Sequence, residues 1–77
     1  MSEYADSDSS IKTVLISARQ RAGLTQKELS RRTGIAQGDI SKLEHGNSNP
    51  SVRTLQRLAE GMGMTLRIEF VPKKAEK

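Results

Sequence analysis

The chain has 77 residues, a formal net charge of +4, 34% hydrophobic residues, one His and no Cys. A chain this short makes at most one small domain, and without Cys it has no disulfide, thiolate metal site or cysteine nucleophile, which suits a reducing cytoplasm. One His (His45) leaves metal ligation and His-based catalysis short of partners, two aromatics (Tyr4 and Phe70) cannot build a stacking platform for single strands, and the longest apolar run, Val14-Leu15-Ile16, is far too short to span a membrane.

Residues 1–10 have no periodicity and read as a disordered acidic leader, carrying Glu3, Asp6 and Asp8 for a charge of −3. Residues 11–72 carry ten Lys/Arg against five Asp/Glu, for +5, and residues 73–77 add +2. A basic body behind an acidic leader points to a polyanion such as nucleic acid, although an ordinary solvated basic surface gives the same count. Ser9 or Ser10 is placed to cap a first helix starting near Ile11. Within it Ile11, Leu15, Ala18 and Ala22, with Val14 beside them, recur as one buried stripe, and Gly23 closes the helix.

Thr25-Gln26-Lys27-Glu28 is a capping box, with Leu24 and Leu29 as its hydrophobic staple, so a second helix starts here and ends at Gly34. A tight turn around Gly34-Ile35-Ala36 leads to a third short helix with core positions Ile40 and Leu43 and an end at Gly46. Asn47-Ser48-Asn49-Pro50 is turn chemistry, and Ser51 caps a fourth helix with Val52, Leu55, Leu58, Ala59 and Met62 on one face. After Gly63 the period changes. Met64, Leu66, Ile68 and Phe70 alternate with Thr65, Arg67 and Glu69, the pattern of a half-buried strand that Pro72 ends. These spans divide the chain into the leader, a helical body over 11–63, a strand segment over 64–72 and a basic tail over 73–77.

Two short helices joined by a glycine-containing turn form a helix-turn-helix arrangement, whose second helix enters the DNA major groove. The segments Gly23-Leu24-Thr25-Gln26, Glu28-Leu29-Ser30, Gly34-Ile35, Ile40-Ser41-Lys42-Leu43-Glu44, Gly46, Asn49-Pro50-Ser51, Leu55 and Leu58-Ala59 resemble the Cro/C1-type (Xre-type) helix-turn-helix family. The resemblance runs from about Ile11 to Met62, some two-thirds of the chain. It implies a mainly α fold, a lambda-repressor-like domain of four to five helices, with double-stranded DNA as partner and no cofactor.

Family roles carry over at matching positions. Gln26 opens helix 2, where relatives bond a DNA phosphate with the side chain and free backbone amides; an ordinary solvated Gln is the plainer alternative. Gln37 opens the recognition helix, where a Gln amide offers the donor and acceptor that match adenine N6 and N7. Lys42 suits a phosphate or a guanine edge, and Ser41 is either a contributor to these contacts or a solvated hydroxyl. Asn47 and Asn49 complete the candidate DNA contacts in a loop that has no cation where some relatives carry one, with Arg53 nearby. Arg19 and Glu44 resemble the family's buried ion pair between helix 1 and the end of the recognition helix. His45 reads as a helix C-terminal dipole partner or a phosphate neighbour, and Arg31 and Arg32 as solvated charges.

Three positions depart from the pattern. Ala36 stands where relatives often have a Ser or Thr cap, which weakens the start of the recognition helix. Gly38 provides no side chain where relatives place a second base reader; either the backbone approaches closely or specificity relaxes. Asp39 either stabilises the helix N-terminus electrostatically or accepts from cytosine N4.

A single strand needs a pairing partner for its backbone and a cover for its apolar face. Antiparallel self-pairing across a two-fold axis supplies both, which implies a homodimer through Met64, Leu66, Ile68 and Phe70; a core-facing tail is the alternative. A C-terminal strand in place of a fifth helix resembles the HigA/HipB-like antitoxins within the family. That subgroup implies autorepression of an operon and a co-encoded toxin, a ribosome-dependent messenger-RNA endonuclease or a kinase, in a bacterial cytoplasm and at the nucleoid. Two other readings stay open: a stand-alone regulator of phage or restriction-controller type, and a protein-interaction adaptor that keeps the fold without reading sequence. No pair of acid/base groups suggests an enzyme.

Overall fold

The computed structural model describes residues 11–46 and 48–73. The leader with its Ser9 or Ser10 cap, Asn47, and the tail beyond residue 73 lie outside the described residues. Four helices follow in chain order: α1 (Ile11–Arg21), α2 (Gln26–Thr33), α3 (Gln37–Glu44) and α4 (Val52–Gly61).

α1 ends where Gly23 takes a left-handed φ of 73°, letting the Leu24 amide turn back to the Arg19 carbonyl at 3.2 Å. α2 begins with a reciprocal cap. The Glu28 amide donates to Thr25 Oγ1 at 3.0 Å, and the Thr25 amide donates to Glu28 Oε1 at 2.8 Å. Leu24 and Leu29 flank this cap and are both buried. At the other end Gly34, at φ 77°, donates its amide to Ser30 O at 2.8 Å, a conformation that costs a residue with Cβ more than it costs glycine. α3 starts at Ala36 with no side-chain cap, and only Asp39 complements its N-terminus. Ser51 caps α4 by accepting from the Thr54 amide at 3.1 Å.

The core is Leu15, Leu24, Leu29, Ile40, Leu43 and Leu58, with Ala22, Ile35, Leu55 and Met62 packed around it. Leu29, Ile40 and Leu58 are fully buried, each contributing about 1.5–3 kcal/mol of hydrophobic stabilisation. α3 packs on α1 and α2, and α2 packs also on α4. The α2–α4 approach is close: a Cβ on Gly61 would meet Thr33 Cγ2 and lie 3.2 Å from Leu29 Cδ1.

Two apolar stripes differ from their sequence pattern. On α1, Leu15 and Ala18 are buried but Ile11 and Val14 are exposed; on α4, Leu58 and Ala59 are buried but Val52 is exposed. The core closes on one side of each helix. Ile11 and Val14 instead line an open groove with Leu55, Met62, Met64 and Leu66. Residues 64–73 carry neither helix nor strand. A strand is defined by its ladder partner, and among the described residues no strand is present to pair with. Met64 and Leu66 are half-buried and line the same groove as Ile11, Val14 and Leu55, whereas Ile68, Phe70 and Val71 are exposed.

Candidate nucleic-acid interface

α3 is amphipathic over two turns. Ile40, Leu43 and Glu44 point inward, and Gln37, Gly38, Asp39 and Lys42 are exposed, with Ser41 half-buried between them. At 100° per residue, Gln37 and Ser41 stand one above the other, as do Gly38 and Lys42. The four therefore form one continuous outward strip. Among the described residues no hydrogen bond or ion pair engages the Gln37 or Lys42 side chain, so both are available to a ligand. A Cβ on Gly38 would meet nothing within 4 Å; the fold itself does not require glycine there. Asn49 is exposed in the loop after α3.

The angle at which α3 leaves α2 is set by a knot of polar contacts. Ser30 Oγ donates to Ile35 O at 2.5 Å, the Ile35 amide donates to Thr33 Oγ1 at 3.1 Å, and Thr33 Oγ1 donates to Leu29 O at 2.9 Å. From α4, Arg57 Nη2 caps the end of α2 by donating to Thr33 O at 2.6 Å. Arg32, on the exposed side of α2, reaches Gly61 O at 3.4 Å. The contacts that α4 makes with α2 were not legible in the sequence, because Arg57 and Thr33 are 24 residues apart and Arg32 and Gly61 are 29 apart, and neither pair follows a spacing rule.

Behind the strip lies the one buried charge among the described residues, Glu44. Arg19 Nε donates to Glu44 Oε2 at 2.6 Å and Arg19 Nη2 to Oε1 at 3.0 Å, while Nη1 donates to Leu24 O at 2.8 Å. The fork thus joins α1, the start of α2 and the end of α3. Burial pushes the Glu44 carboxyl up, but hydrogen bonds from Arg19 and Gln26 and the Arg19 charge outweigh it and hold the group below the usual carboxylate range. The same hydrogen bond raises the Arg19 guanidinium, against the opposing effect of burial.

Gln26 is placed differently from a free first-turn side chain. It is half-buried, and its Nε2 donates to Glu44 Oε1 at 2.9 Å across 18 residues of sequence. Its backbone amide stays at the start of α2, beside Thr25. At the far end of α3, His45 Nδ1 lies 2.7 Å from Ser41 O; a carbonyl only accepts, so Nδ1 carries the proton and His45 helps satisfy the helix C-terminus. No group of three or more His, Cys, Asp or Glu side chains capable of holding a metal occurs among the described residues, nor is any described helix long and apolar enough to cross a membrane.

The helix-turn-helix family profile matches residues 15–68. An uncharacterized HTH-type transcriptional regulator of Haemophilus influenzae is 41% identical over 54 residues, covering 70% of this chain and 55% of that protein. Another, y4dJ of Sinorhizobium fredii, is 45% identical over 47 residues, 61% of each chain. Antitoxin HigA1 of Mycobacterium tuberculosis is 37% identical over 54 residues, covering 70% of this chain and 36% of the antitoxin. The chain thus spans 55% and 61% of the length of the first two relatives. In three dimensions the restriction-modification controller protein C.Esp1396I superposes with a TM-score of 0.68 at 22% identity, over 71% of this chain and 70% of the controller, a likeness of fold alone. With the profile covering α2 and α3 and the capped helix pair folded as described, the chain belongs to the Cro/C1-type helix-turn-helix family.

Proposed function

We propose that the protein is a sequence-specific DNA-binding transcription regulator that acts as a homodimer on an inverted repeat, in the bacterial cytoplasm at the nucleoid. The observation that carries this reading is the outward strip of α3: unengaged Gln37 and Lys42 side chains, with Gly38 and Ser41, are held by Ile40 and Leu43 on the opposite face. Gln37 reads adenine, Lys42 and Ser41 contact phosphate or a neighbouring base edge, and the α2 N-terminus with Gln26 receives a backbone phosphate. Asn49, with Asn47, flanks these contacts.

Dimerisation through Met64, Leu66, Ile68 and Phe70 belongs to the same reading. Its support is the apolar groove of α1 and α4 beside a segment whose Ile68 and Phe70 remain exposed. Two copies then place their α3 helices about one helical turn of DNA apart, ~34–36 Å. In its finer form the proposal is an antitoxin that represses its own operon and binds a co-encoded toxin, supported by the similarity to HigA1. A stand-alone regulator is the second reading, supported by the relatives named transcriptional regulators.

Selection of duplexes from a random library, with light scattering on the complex, tests the core of the proposal. Recovery of a two-fold symmetric site by a dimer is the expected result; no enrichment of any sequence overturns it. An affinity pull-down from the native host separates the two finer readings. A stoichiometric partner that is toxic when expressed alone supports the antitoxin, and a homodimer carrying DNA only favours the stand-alone regulator.

A further inference from the structure

Glu44 does more than pair with Arg19. A carboxylate only accepts, so the atom of Gln26 that faces Glu44 must be the NH₂ nitrogen, and the amide cannot flip without placing its carbonyl oxygen against a negative charge. One N–H of Gln26 is consumed by Glu44. The other N–H and the carbonyl oxygen are thereby set in direction at the start of α2. Glu44 itself is immobile, since its side chain is 4% exposed and clamped by the Arg19 fork. Gln26 and Glu44 stand on the two helices of the helix-turn-helix, at the first residue of α2 and the last of α3.

We infer that Glu44 is a positioning residue for DNA binding: it fixes the rotamer and amide orientation of Gln26, so that the N-terminus of α2 meets a backbone phosphate with a preset donor. The inference rests on the proposed DNA contact of Gln26. Arg19 serves the arrangement by neutralising the charge that Glu44 would otherwise bring towards the phosphate, and Leu24 O holds the third arm of the fork. Preorganised donors gain affinity because no side-chain rotamer has to be frozen on binding. The effect is independent of base sequence, as phosphate contacts are.

The test is a double-mutant cycle of Gln26→Ala and Glu44→Gln, read as affinity for the selected duplex at a temperature where each variant is folded by circular dichroism. Gln26→Ala is expected to weaken binding about threefold to tenfold, the scale of one hydrogen bond. Glu44→Gln is expected to weaken it comparably in the wild-type background and not at all in the Gln26→Ala background, while lowering the melting temperature in both. That split separates positioning from a structural role, which would lower affinity equally in the two backgrounds. Glu44→Asp, which keeps the charge but withdraws it by one methylene, provides a second cycle if Glu44→Gln is too unstable. The side-chain amide protons of Gln26 report independently by NMR, and their resonances should shift in Glu44→Gln without DNA. Equal losses in both backgrounds, or no loss on Glu44→Gln in folded protein, overturns the inference while leaving the function reading intact. A wild-type chain that enriches no duplex overturns both.

Discussion

Replacing Glu44 with Ala removes the acceptor of three hydrogen bonds, two from the Arg19 guanidinium at 2.6 and 3.0 Å and one from Gln26 at 2.9 Å. The Arg19 side chain is only 15% exposed, so its charge is left largely desolvated and keeps a single protein partner, Leu24 O. Breaking one side of a buried pair costs about 3–5 kcal/mol. The residual exposure of Arg19 and its bond to Leu24 put the expected loss at the lower end, about 3 kcal/mol. A chain of 77 residues has a total stability of about 4–12 kcal/mol, so the variant is expected to retain a small margin. The corresponding drop in melting temperature is roughly 12–24 °C. Thermal and urea unfolding followed by far-UV circular dichroism measure it. A melting temperature within a few degrees of wild type would refute the claim that the pair holds α1 to α3. The joint replacement Arg19→Met with Glu44→Leu offers a control: it leaves no unpaired buried charge, only the Gln26 amide and the Leu24 carbonyl without their former partners, and should recover part of the loss.

Further expectations concern single positions and pH. Gly61→Ala should destabilise by about 1–3 kcal/mol through overpacking against Thr33 and Leu29, despite the better helix propensity of Ala; a melting temperature equal to or above wild type would count against the tight α2–α4 approach. Ala36→Ser should stabilise by about 1 kcal/mol by supplying the side-chain cap that α3 lacks, and an unchanged urea midpoint would show that the α3 amides are already satisfied. Gly38→Ala should raise stability by up to about 1 kcal/mol, since nothing occupies the space of its Cβ; if DNA approaches the backbone closely there, affinity falls in the same variant, and unchanged affinity would reject the close approach. The Glu44 and Glu28 carboxyls are held below their ordinary range, Glu44 as described and Glu28 chiefly by the Thr25 amide and hydroxyl. Their folded forms are more acidic than the unfolded chain, so their stabilisation is complete at neutral pH and is lost as pH falls below about 4.3 and through the folded values. Melting temperatures from pH 7 to pH 3 should show this loss, with a shallower acid slope in Glu44→Gln; parallel slopes would remove Glu44 from the account.

What the sequence alone determined was local. The capping box of Thr25 and Glu28, the left-handed glycines 23 and 34, the Ser51 cap and the i, i+3 placement of Ile40 and Leu43 all act within one helical turn. Their chemistry therefore shows as spacing, and the four helices follow from it. What only the tertiary structure decided involves partners 18–24 residues apart, Gln26 with Glu44 and Arg57 with Thr33; the Arg19–Glu44 pair follows from the family resemblance, not from any spacing. Only packing shows that Ile11 and Val14 face a groove rather than the core, because both flanks of an amphipathic helix have the same period. Alternation in Met64, Leu66, Ile68 and Phe70 describes a strand's faces but does not supply its ladder, and the single chain leaves that segment irregular. The Gln26 amide, the Glu44 carboxylate and the Arg19 guanidinium come from three different helices. Their meeting depends on the α2–α3 angle set by Ser30, Thr33 and Arg57, which no residue pattern within one helix records.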